Sequence, residues 1–156
     1  MSTNYPLFMD FRLPVPCKGF WVGITMRGRL LLEEDGDEFW VYGVNPGGIS
    51  AFGPNKDAAL NAFTVRLREV VSDAAEAADK FPTFKMEIEE SFATNDEYAA
   101  LWEEARKQIR EGTRDLPGMK RDESEYEASI LIEEIEKPNP TMSTSERVTL
   151  AQPKAA

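Results

Sequence analysis

Residues 38–71, EFWVYGVNPGGISAFGPNKDAALNAFTVRLREVV, are the most organised stretch of the chain. Phe39 and Val41 alternate with Trp40 and Tyr42, the two-residue period of a strand. The run NPGG (45–48) interrupts that period, and the short apolar link ISAFG (49–53) follows. From Lys56 the pattern changes. Leu60, Phe63, Leu67, Val70 or Val71, and Ala74 recur at steps of three and four, which predicts a helix to about Lys80. Asn55 suits its N-cap, and Asp57 lies beside the positive end of the helix dipole. Phe81-Pro82 is expected to end it.

A glycine-rich turn before a helix raises the question of phosphate binding. Gly47, Gly48 and Gly53 match neither the G-x-x-x-x-G-K-[ST] nor the G-x-G-x-x-G spacing. Pro54 removes a backbone donor just before the helix, and Lys56 stands alone as a cation. The turn therefore reads as a reversal that lets ISAFG pair back onto the sheet.

Working outward, LFMDFRLPV (7–15) places Leu7, Met9, Phe11, Leu13 and Val15 on one side of a strand ended by Pro14 and Pro16. Asp10 and Arg12 share the other side and are close enough in sequence to pair. GFWVGITMRGRLLLEEDGDEFWVYGV (19–44) reads as three antiparallel strands, with turns at Arg27-Gly28 and Asp35-Gly36-Asp37. FKMEIEE (84–90) alternates like a further strand, with Phe84, Met86 and Ile88 inward. TNDE (94–97) has the capping-box form, and Tyr98, Leu101, Trp102, Ala105 and Ile109 line one face of the helix after it, which Gly112 closes. YEASILIEEIE (126–136) alternates like a strand, although its Glu-rich end also tolerates helix. Residues 137–156, rich in Pro, Ser, Thr and Ala, read as a flexible C-terminal tail.

The expected architecture is a single α+β domain over residues 1–136. It has an antiparallel sheet of about five strands, one long helix packed across it and a second amphipathic helix. A chain of 156 residues with 42% hydrophobic residues can bury a core of that size. No apolar run is long enough for a membrane span, and the start MSTNYPLFMDF lacks the form of a secretory signal. The lone Cys17 forbids an internal disulfide and fits the cytoplasm. With no histidine, Ser-His and Cys-His nucleophiles and ordinary zinc sites are excluded. The expectation is a non-enzymatic protein with no catalytic residues, metal or cofactor.

Net charge is −10. Residues 137–156 carry Lys137, Arg147 and Lys154 against Glu146, so removing their +2 leaves −12 on the rest. Such a body repels nucleic acid, so no direct nucleic-acid binding is expected, and a basic protein partner is. Trp21, Trp40 and Tyr42 alternate onto one sheet face and are the candidate anchors, with Glu33, Glu34 and Asp37 of the acidic hairpin beside them. The same rings suit a second core layer formed with the Trp102 helix, and both readings stand at this point. Two other classes remain. One is a homo-oligomeric structural or phage accessory protein using the same sheet. The other is a carboxylate-metal hydrolase, for which Asp10 is the acid placed on a strand.

RLLLEEDG (29–36), EFWVYGVNPGG (38–48), ISAFG (49–53) and the helix opening NKDAALNAFTVRLREVV (55–71) together resemble the HicB-like antitoxin family. The likeness covers residues 29–80 and rests on Val44, Pro46, Gly47, Gly53 and Asp57-Ala58. It implies a partial ribonuclease-H-like core without ribonuclease activity, and a small basic RNA-cleaving toxin as partner. Many family members add a C-terminal DNA-binding segment. Here that region has no basic recognition helix, so DNA binding is not carried over.

Overall fold

The computed structural model describes residues 2–110, 116, 118–123, 127–137 and 145–152. Its frame is one long hairpin. β1 (Ser2–Pro16) and β2 (Trp21–Asp35) pair antiparallel without a break, from Ser2 opposite Asp35 to Pro16 opposite Trp21. The turn expected at Arg27-Gly28 is not there: Gly28 lies inside β2, opposite Met9. Its glycine has a different use. A Cβ at this position would stand 2.2 Å from the Asn45 carbonyl oxygen, so the missing side chain admits the end of the next strand.

That strand is β3 (Glu38–Asn45), and it pairs with the second half of β2. The turn between them is the expected one, with Gly36 in the left-handed region at φ 61°. β4 (Ser50–Gly53) pairs back onto β3, as the glycine turn was expected to allow. After the helices come β5 (Arg121–Asp122), β6 (Ser129–Ile135) and β7 (Ser145–Ala151). β6 pairs with the first half of β2, from Trp21 to Arg27. β7 pairs antiparallel with β1 from Leu7 to Arg12, and β5 pairs with β7 in parallel. The sheet runs β4-β3-β2-β1-β7-β5, with β6 also on β2. The class is α+β with a mostly antiparallel sheet, of seven strands among the described residues where about five were expected.

The tail and the FKMEIEE strand are corrected as well. In the tail, Ser145–Ala151 is a strand against the central hairpin, with Leu150 and Ala151 fully buried. Composition averaged over 137–156 hid a short segment whose Val148 and Leu150 alternate toward the core. Residues 138–144 and 153–156 lie outside the described residues. FKMEIEE belongs to helix α2 (Phe81–Ser91). Phe84 and Ile88 are buried and four apart, so they fit a helix face as well as a strand face. Met86 decides between them, and at 55% exposure it does not point inward. Pro82 opens this helix instead of closing the one before, because its fixed φ and missing N–H suit a first turn.

α1 (Lys56–Ala77) matches the expected phase. Asn55 caps it by accepting from the Ala58 N–H at 2.8 Å, and Ala59, Phe63, Leu67, Val71 and Ala74 are buried. With α2 it covers the sheet face that carries Leu7, Met9, Phe11, Val22, Ile24 and Leu30. α3 (Asp96–Arg110) covers part of the other face. Its cap is Asn95, which accepts from the Tyr98 N–H at 3.1 Å, so the Thr94 box is not formed. Trp102, Ala105 and Ile109 are buried as expected, whereas Leu101 is 40% exposed. Gly112 and Tyr126 lie outside the described residues. Among the described residues no helix is long and apolar enough to cross a membrane.

The glycine turn has an internal use. The Gly47 N–H donates to the Ala93 carbonyl at 2.9 Å, and the Asn95 N–H donates to the Val44 carbonyl at 2.9 Å. A Cβ on Gly47 would lie 2.7 Å from that Ala93 oxygen. The turn therefore clamps the connection between α2 and α3, and its Gly47 donor is already engaged.

Docking of β7 predicts that a chain ending at Lys137 melts far below the full-length protein. Leu150→Ala should cost ~2–5 kcal/mol in denaturant unfolding, as for other fully buried leucines. An unchanged melting temperature on truncation would restore the flexible-tail reading.

Candidate functional site

The face of the hairpin opposite α1 carries Phe8 on β1 and Arg29, Leu31 and Glu33 on β2. In register, Leu31 stands opposite Tyr42, and Glu33 opposite Trp40. Trp40 in turn stands opposite Phe52 on β4. Two-residue alternation on adjacent strands thus lines Phe52, Trp40 and Tyr42 into a row, which Tyr98 of α3 extends. Phe52 and Trp40 have centroids 4.9 Å apart, Trp40 and Tyr42 stack at 6.0 Å and 6°, and Tyr42 and Tyr98 stack at 4.6 Å.

The row grades from solvent to core. Phe52 is 60% exposed, Trp40 and Tyr42 are half-buried, and Trp102 beyond them is 1% exposed. Trp102 packs on Phe8 at 5.4 Å, and its indole N–H donates to the Leu7 carbonyl at 3.2 Å. The second core layer therefore exists, built by Phe8, Leu31, Val44, Trp102, Ala105 and Ala151. Tyr42 packs against its margin, and Trp40 stands outside it.

The six residues singled out from the sequence do not all gather. Trp21 has the same strand parity, but it lies twelve positions from Glu33 along β2, opposite Pro16 and Ile135. Glu33 accepts from the Tyr42 hydroxyl at 3.4 Å and sits beside the row. Glu34 points to the opposite face, where the Tyr5 hydroxyl donates to it at 3.3 Å. Asp37 is exposed at the hairpin tip. Sequence reading missed Phe52, Tyr98 and Glu38, whose carboxylate accepts from the Trp40 indole N–H at 3.3 Å. For Phe52 the signal was present: in SAFG, Ala51 and Gly53 are the inward small residues, which turns Phe52 outward.

Asp10 does not pair with Arg12. Its carboxylate accepts from Arg27 Nε at 2.9 Å and from Arg147 Nη2 at 3.2 Å, two strands that flank β1. No three His, Cys, Asp or Glu side chains among the described residues gather to hold a metal ion. Asp10 thus sits among guanidinium groups and not among the further carboxylates that a two-metal hydrolase needs.

Burial and the Glu33 carboxylate push the Tyr42 hydroxyl up to about 12. Both act in one direction, since a phenolate there would be desolvated and next to a negative charge. Comparison of the chain with protein-family models, with curated proteins and with solved structures gives no match.

A pH prediction follows from Tyr42. In the unfolded chain this tyrosine loses its proton at its ordinary value of 10.0, but in the folded protein it does so only near 12. Between those values the unfolded state binds fewer protons, so stability should fall as pH rises through that window. Ultraviolet titration of tyrosinate should show a late-ionising tyrosine that Tyr42→Phe removes, and Glu33→Gln should bring it earlier. A late tyrosine unaffected by both Glu33→Gln and Tyr42→Phe would contradict the assignment.

Proposed function

We propose that the protein is a non-enzymatic binding domain that takes a basic protein partner on the aromatic row at the β3–β4 edge. One observation carries this reading. Phe52, Trp40 and Tyr42 form a continuous row that leaves the core at the terminal strand of the sheet, beside the acidic hairpin. Large rings with polar handles anchor interfaces at low entropic cost. Glu33, Asp35, Asp37 and Glu38 supply negative charge next to them, on a chain of net charge −10. That charge speeds encounter with a cation and disfavours nucleic acid.

The HicB-like resemblance spans the second half of β2, then β3, β4 and α1, a continuous unit that includes the aromatic edge. On that likeness the partner is a small basic RNA-cleaving toxin, neutralised in the cytoplasm.

The test is to co-express the chain with a small basic protein encoded beside its gene and to measure the complex. Trp40→Ala and Phe52→Ala should each weaken binding by ~2 kcal/mol, mostly through faster dissociation. Glu33→Gln with Asp37→Asn should mainly slow association and flatten its salt dependence. Trp40→Ala should stay folded, whereas Trp102→Ala should cost ~3–5 kcal/mol of stability. Unchanged affinity in both aromatic variants, or tight DNA or RNA binding at physiological salt, would overturn the proposal.

A further inference from the structure

β3 and β6 share one edge of β2 and leave a notch between them. Arg29 pairs with Asn45 at the end of β3, and Arg27 pairs with Ser129 at the start of β6. The β2–β3 register also shifts between Arg29 and Leu30. A pocket opens there under α3, lined by Arg29, Asn45, Thr94, Trp102, Glu103 and Arg106. It lies outside the aromatic row.

Arg29 is unusual in this pocket. Its side chain is only 20% exposed, and its Nε–H donates to the Asn45 side-chain oxygen at 2.8 Å. Asn45 is itself 4% exposed, and its side-chain amide donates to the Thr94 hydroxyl oxygen. The Arg29 guanidinium carbon lies over the Trp102 ring, 5.3 Å from its centroid. Its Nη1 and Nη2 make no hydrogen bond with a described residue. The nearest carboxylate, on Glu103, is 3.8 Å away and 63% exposed. Burial accordingly draws the Arg29 pKa down, and Glu103 offsets that only in part. The Thr94 hydroxyl, having accepted from Asn45, has its own proton to give.

We propose that this notch binds a carboxylate. The paired Nη1 and Nη2 donors of Arg29 take its two oxygens side by side, the geometry that a fixed, planar guanidinium matches best. The Thr94 hydroxyl donates a further bond. Asn45 and Trp102 act as positioning residues that hold the fork in place. A phosphate dianion fits less well, because Glu103 and Glu127 both line the pocket and oppose the second charge, which the Arg106 guanidinium offsets only in part. The carboxylate comes either from a free small acid or from an Asp or Glu side chain of a polypeptide.

Trp102 offers the readout. In a Trp21→Phe, Trp40→Phe background it is the sole tryptophan, and it touches the Arg29 guanidinium. Sodium propionate and a blocked Gly-Glu-Gly peptide should each change its emission saturably, relative to sodium chloride at equal ionic strength. The tighter of the two identifies the source. Inorganic phosphate should bind at least about threefold more weakly, roughly 0.7 kcal/mol. Arg29→Gln should abolish the response. Glu103→Gln, an exposed change on α3 that leaves folding intact, should tighten it by about threefold or more, and it decides the matter if Arg29→Gln does not fold. No saturable change with either carboxylate, equal or tighter phosphate binding, or indifference to Glu103→Gln would each overturn the proposal.

Discussion

The unbroken pairing of β1 with β2 is the constraint on which the other elements depend. Two strands of 15 residues in continuous register give both sheet faces and both hairpin edges. β7 takes one edge, while β3 and β6 divide the other. α1 and α2 bury one face, and α3 buries a part of the other. Because the hairpin is longer than any strand that docks on it, its partners cannot complete every edge. Coverage stops at the notch beside Arg29, at the ends of β1 beyond Leu7–Arg12 and at the open β4 edge, among the described residues.

Features that depend on near neighbours in sequence were readable. The α1 phase, its Asn55 cap, the Asp-Gly hairpin and the return of β4 each follow from spacing within a few residues. Features that depend on distant partners were not. Gly28 looked like a turn because the Asn45 carbonyl it accommodates lies 17 residues away. β7 looked like a tail because its apolar alternation has meaning only against the open edge of β1. α2 was misread for a local reason: Phe84 and Ile88 satisfy both periods, and a helix is told from a strand there only by Met86 facing out.

The candidate site shows the same division. Parity placed Trp40 and Tyr42 on one face, and they do stack. Parity alone also admitted Trp21, which the length of β2 carries far from them, and it could not seat α3. Once seated, α3 separates two kinds of aromatic residue. Trp102 is sealed against Phe8 and bonded to the Leu7 carbonyl, so it holds the layers together. Trp40 lies outside that layer, stacked on Tyr42 and Phe52 with its indole N–H donated to the exposed Glu38, so less of the fold depends on it. This contrast supports the reading of Trp40 as an interface residue.

Hydrogen exchange of the protein alone and in complex with the proposed basic partner tests that reading most directly. Amides of β3 and β4, residues 38–42 and 50–53, should slow on binding, together with the Asp35–Asp37 turn, while α1 and α2 exchange as before. Protection confined to α1 and α2, with the β4 edge exchanging at its free rate, would contradict it.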